Sequence, residues 1–271
     1  MIRELIEEHT NVGSVADDEV MTDIAFMTYS DWANEGRSMV ERSERIRTWI
    51  GDTAAYVFCA EKRDYCASMS GRIERDLFEH IQTPTTKAIT ASFSELYKLK
   101  DEKIDATLIA LVPFREPDFE SIRKAIEDDT FDKVVILIMR EGEMSRSIAR
   151  AYGALNLGTG VCDELPDSLM VEAARMMVNE EHNGLSSGIG KDATLSLIHA
   201  FRQSGVPAQK EPWLAAYFAA GGEVRHAETV AKFIDEINKG TRHRYKQRYR
   251  ANIVEIIKER MLEKPSLKET S

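Results

Sequence analysis

Twelve residues near the C-terminus, Lys239–Arg250 (KGTRHRYKQRYR), carry six cations and no carboxylate: Lys239, Arg242, Arg244, Lys246, Arg248 and Arg250. His243, Tyr245 and Tyr249 lie among them. Lysine and arginine neutralise phosphates and release their counterions, while tyrosines stack on bases or pack inward. The whole chain is acidic, with a net charge of −10, so removing these six positive charges from −10 leaves −16 elsewhere. That balance argues against a general nucleic-acid coat, while the uneven placement of charge leaves room for a local contact. Read as part of a helix over residues 244–262, the segment places Arg242, Lys246 and Arg250 on one stripe and Arg244 and Arg248 on another. Docking against the acidic remainder, or a subunit contact in a homo-oligomer, are the competing uses of the same charges.

A second set of cations follows the apolar runs. Lys62 and Arg63 come after AAYVFC, Arg115 after ATLIALV, Arg140 after KVVILIM, and Arg146 lies between Ser145 and Ser147 at the start of a predicted helix. Ligands of open α/β sheets bind beyond the carboxyl ends of the strands, and a helix N-terminus favours an anion. Lys62, Arg63, Arg115, Arg140, Ser145, Arg146 and Ser147 therefore form a candidate phosphate or carboxylate site. In an enzymatic version, Arg115, Arg140 and Arg146 stabilise charge during hydrolysis or group transfer on a small anionic substrate, with Glu61, Glu116 or Glu143 moving protons. The plain alternative pairs these cations with Glu61, Glu116, Glu141 and Glu143.

Sharper motifs fail on context. Gly188-Ile-Gly190-Lys191-Asp192-Ala193 satisfies G-x-G-x-x-A, but no strand precedes it, so it reads as a helix-opening turn capped by Asp192. It also lacks the spacing of a phosphate-binding loop. His226-Ala227-Glu228 has no following P-C-x-x-C, and H-E-x-x-H and G-x-S-x-G are absent. No catalytic set and no metal ligand is assigned, and the cofactor stays open. The expected partner is nucleic acid or a phosphorylated small molecule. Cys59, Cys66 and Cys162 form no C-x-x-C pair, and no run approaches the roughly 18 apolar residues of a membrane span. A cytoplasmic protein without membrane contact is expected.

These residues need a scaffold. Ala106–Val112 and Lys133–Met139 are apolar at nearly every position, as strands covered on both faces should be, with a helical pattern over 118–128 between them. Strands over 54–59 and 88–91, and helices over 68–81, 94–100 and 145–154, extend the alternation. The expected fold is an open, mainly parallel Rossmann-like or flavodoxin-like α/β sheet. Residues 1–53 read as an N-terminal helical cover, 54–165 as the α/β domain, 166–264 as a helical subdomain and 265–271 as a tail. Within the subdomain, Gly205, Gly221 and Gly240 are placed to end helices in the left-handed conformation.

Overall fold

The computed structural model describes residues 22–28, 39–61, 79, 81, 86–99, 103–111, 113, 115–138 and 143–263. The chain divides into two compact units, Met1–Ser145 with Tyr152–Glu164, and Arg146–Ala151 with Leu165–Ser271.

The first unit is built on strands β1 (Asp23–Thr28), β2 (Ala55–Ala60), β3 (Lys87–Ser92), β4 (Ile104–Leu111), β5 (Phe131–Ile138), β6 (Leu155–Asn156) and β7 (Val161–Cys162). They form one open sheet in the order β3-β2-β4-β5-β1-β6-β7. All its pairings are parallel except β6 with β7. The expected open α/β fold is therefore present.

Register explains the continuous apolar runs. Phe58 lies opposite Ile109, Ile109 opposite Val135, and Val135 opposite Ala25, so one row of side chains crosses four strands. That row packs on Ile46 and Ile50 of helix α1 (Met39–Ile50) and on Ile81. The alternate residues Val57, Leu108, Ala110, Val134 and Ile136 are equally buried, so both faces are covered. Helices α2 (Phe93–Leu96) and α3 (Glu116–Glu127) pack against each other. Inside α3, the buried Arg123 is held by Glu120 and Glu127, and Tyr152 donates to Glu127.

One feature of this unit departs from the sequence reading. Asp23–Thr28 lies within the region read as helical cover, yet it is a strand inserted between β5 and β6. Its apolar stretch, DIAFMT, is short and carries too little pattern to separate it from its flanks. The helix expected over 68–81 lies outside the described residues apart from Glu79 and Ile81, both helical.

Helix α4 (Glu143–Ala151) gives its residues from Arg146 onward to the second unit. There it joins α5 (Ser168–Val178), α6 (Gly188–Gln203), α7 (Lys210–Ala219), α8 (Val224–Asn238) and α9 (Ile253–Glu263). The core centres on Trp213, Tyr217, Phe218 and Phe201, with Phe201 meeting Trp213 edge to face at 5.2 Å. Beneath the helix ends, Glu181 accepts hydrogen bonds from the Tyr217 hydroxyl and the Glu223 N–H. Burial pushes the Glu181 carboxyl above its ordinary value against those two bonds.

The glycine punctuation is present: Gly205, Gly221 and Gly240 have φ of +93°, +86° and +78°. At Gly240 the N–H bonds Ile237 O, and the Thr241 N–H bonds Glu236 O, a Schellman ending that turns the chain off the α8 axis.

Two helix starts need correction. Helix α6 begins at Gly188 rather than at an Asp192 cap, and Gly190 lies against the Gly184 turn, where a Cβ would come within 2.2 Å of the Gly184 carbonyl oxygen. The glycine permits close helix-to-turn packing. Helix α9 begins at Ile253, not Arg244. As a helix, Arg242, Lys246 and Arg250 would stack like charges four residues apart, with no carboxylate among them to offset the repulsion.

Candidate nucleic-acid interface

Past Gly240 the chain runs in neither helix nor strand through Arg250, and residues 241–250 form a strap across the helical unit. An extended chain directs successive side chains to opposite sides, so a two-residue period in sequence becomes two faces. Here the period is one of rings and cations. His243, Tyr245 and Tyr249 are partly buried, whereas Arg242, Arg244, Lys246, Arg248 and Arg250 are all exposed. Between Arg242 and Arg250, Gln247 alone breaks the alternation.

The inward face is anchored at successive points along the strap. The Tyr245 ring stacks on the His199 imidazole of α6, with centroids 5.4 Å apart and planes 2° from parallel. His243 is only 6% exposed in its side chain; it meets Phe233 of α8 edge to face, and its Nε2 lies 3.6 Å from Glu236. The Arg248 N–H donates to Ser196 Oγ at 3.1 Å, and that hydroxyl donates in turn to the Asp192 carbonyl. Burial raises the Tyr245 and Tyr249 hydroxyls above their ordinary values, aided at Tyr249 by the Glu180 charge. Both rings are therefore neutral packing groups. Burial also lowers His199, and the neighbouring His243 and Arg202 act in the same direction.

On the outward face, none of the five cations makes an ion pair among the described residues. The expectation that they dock on the acidic remainder finds no contact there to support it. The strap thus presents a row of charge whose backbone is fixed from behind.

The strand-exit set is arranged differently. Strands β4 and β5 are parallel neighbours, so the residues after Leu111 and after Ile138 leave by one edge. Onward connections from the adjacent β2 and β4 run in opposite directions along the sheet, to β3 and to β5, which makes this a switch point. At this point Arg115 is already engaged. Its guanidinium bonds Asp118 through Nη2 at 3.0 Å and approaches Glu61 through Nη1 at 3.4 Å. The Asp118 hydrogen bond and charge hold Arg115 above its ordinary value. Ser145 and Ser147 are buried and neither is without a partner, while Arg146 has its Nε buried with no hydrogen bond. Of the enzymatic candidates, Glu61 faces Arg115 and Glu116 is exposed at the start of α3. Lys62, Arg63 and Arg140 lie outside the described residues, as does the Glu143 side chain.

The glycine pair Gly158 and Gly160 belongs to a turn. Asn156 Oδ1 accepts from the Gly158 and Thr159 N–H groups, and Arg45 donates to the Leu157 and Gly158 carbonyls. Among the described residues no group of three or more His, Cys, Asp or Glu could hold a metal ion, and no helix is long and apolar enough to cross a membrane. Neither Cys59 nor Cys162 is in a disulfide.

Sequence reasoning identified the strap's cations but missed His199 and Ser196, the residues that hold it. Neither has a motif, because an anchor is defined by what packs on it. No protein-family model matches the chain, and no curated protein matches it.

Proposed function

We propose that the protein is a cytoplasmic nucleic-acid-binding protein whose contact surface is the outward face of the strap, with Arg242, Arg244, Lys246, Arg248 and Arg250 taking phosphates. One observation carries this reading: five exposed cations on alternate residues, without a carboxylate partner among the described residues, on a segment pinned through its rings. An ordinary surface cation is screened or loosely paired and contributes little. A row of like charges costs mutual repulsion, which a polyanion relieves while releasing counterions. The strap is favoured over Arg115 at the strand-exit edge because Arg115 is already engaged by Asp118 and Glu61.

The test is fluorescence anisotropy with a labelled oligonucleotide. Arg244→Ala with Arg248→Ala should weaken binding on the order of tenfold at physiological salt, through two lost phosphate contacts. Lys258→Ala with Arg260→Ala removes the same charge from exposed positions on α9 and should change affinity little. Equal losses in the two variants would reduce the effect to net charge and remove the strap from the site.

A further inference from the structure

Resting on that reading, we infer that Ser196, buried in α6 beneath the strap, is a positioning residue for the site: it sets how tightly the strap binds by holding the main chain at Arg248.

The Ser196 hydroxyl is oriented by its own helix. Ser196 is buried in the middle of α6 among Leu195, Leu197, Ile198 and Ala200. Its single proton goes to the Asp192 carbonyl one turn earlier, at 2.6 Å, so the oxygen is left with acceptor capacity only. The Arg248 N–H takes that capacity at 3.1 Å. Thr194 makes the same bond back to the Gly190 carbonyl, at 2.9 Å, but it lies about 200° around the helix. Among the described residues, no hydrogen bond from the strap reaches its hydroxyl.

The Ser196 bond matters because the strap has so few of its kind. From Arg242 to Arg250, the Arg248 N–H is the one backbone N–H with a hydrogen-bond partner among the described residues. The rings fix the strap through side chains instead. Contacts run in opposite order along the two segments, Tyr245 on His199 and Arg248 on Ser196, so the strap lies antiparallel to α6. Ser196 thus holds the main chain from which the Arg248 guanidinium projects. A cation held near its bound place loses less freedom on binding than one on a loose chain. Removing the hydroxyl keeps all five outward cations and loosens one of them.

A double-mutant cycle on the full chain tests this, read by fluorescence anisotropy. The probe is a labelled oligothymidylate or a labelled mixed-sequence duplex, whichever the wild type binds more tightly. At about 50 mM salt, Arg248→Ala should cost roughly tenfold, and the slope of log K against log salt should become shallower by about 0.7 to 0.9, one phosphate contact. Ser196→Ala should cost roughly threefold and leave the slope unchanged, since no contact is removed. In the Arg248→Ala background Ser196→Ala should cost nothing further, whereas in the Arg242→Ala background it should cost the same threefold. Alanine fits the space of serine and favours a helix, so the fold is kept. Thr194→Val, which removes the matching hydroxyl, should bind as the wild type does.

Wild-type affinity in Ser196→Ala would overturn the inference. An equal loss with and without Arg248, or an equal loss in Thr194→Val, would mark a general structural effect and overturn it as well. A wild-type chain that binds neither probe would instead remove the proposed function.

Discussion

The Tyr245 ring lies flat against the His199 imidazole, 5.4 Å between centroids and 2° from parallel. This contact holds the middle of the strap, between the His243 anchor and the Arg248 to Ser196 hydrogen bond. Ring pairs of this kind contribute about 0.5–1.5 kcal/mol beyond the area they bury. Tyr245→Ala should therefore destabilise the protein by about 1–2 kcal/mol in urea unfolding. It should also speed tryptic cleavage after Arg244 and Lys246, whereas Tyr245→Phe should preserve both properties. Unchanged cleavage in the alanine variant would mean that the stack does not hold the strap.

His199 gives that contact a pH dependence of defined sign. Burial, with the neighbouring His243 and Arg202, lowers its folded-state pKa below the ordinary value of about 6.5. As pH falls, the unfolded chain takes up this proton first. The stability associated with neutral His199 is thus fully present above about pH 6.5 and is lost as pH drops through the lowered folded value. Urea midpoints measured across that range should fall less steeply for His199→Gln than for the wild type. Parallel curves would rule out His199 as the titrating group.

Gly190 is the residue that most resembles a nucleotide motif and has a plain mechanical role. A Cβ there would lie 2.2 Å from the Gly184 carbonyl oxygen, which is backbone and cannot swing away. Gly190→Ala should cost about 3 kcal/mol, at the upper end of ordinary overpacking. Gly188→Ala meets open space, although its φ of +60° strains an alanine by about 1 kcal/mol. Thermal unfolding should rank the two variants in that order; the reverse order would contradict the close-packing role.

Arg115 offers the contrast between a paired and an unpaired cation. Asp118 is 1% exposed and receives both the Arg115 guanidinium and the Arg115 backbone N–H. Arg115→Ala should lower the urea midpoint by leaving the buried Asp118 carboxylate with one partner fewer. Oligonucleotide affinity should not change. A loss of affinity without loss of stability would place Arg115 and the strand-exit edge in the binding site.

Much of the fold was legible because its signals are local. Ala106–Val112 and Lys133–Met139 read most simply as strands covered on both faces, and Gly205, Gly221 and Gly240 end their helices as their spacing indicates. Asp23–Thr28 was not legible, since its place depends on pairing with Phe131–Ile138, more than a hundred residues away. The strap falls between these cases. The alternation of cation and ring in RHRY and again in RYR is a two-residue period visible in the sequence, but the four-residue spacing of Arg242, Lys246 and Arg250 fits a helix equally well. Like-charge repulsion and the turn at Gly240 decide against the helix. At the strand-exit edge the pairing of Arg115 was not legible for a related reason: Asp118, buried within α3, is the partner that Arg115 meets, and its burial is a property of the folded helix.

The most direct measurement is the salt dependence of oligonucleotide binding. Five phosphate contacts to a single strand give a slope of log K against log salt of about −3.5, and the three left in Arg244→Ala with Arg248→Ala give about −2.1. The account predicts that drop together with weaker binding. A double variant with the wild-type slope and affinity would contradict it.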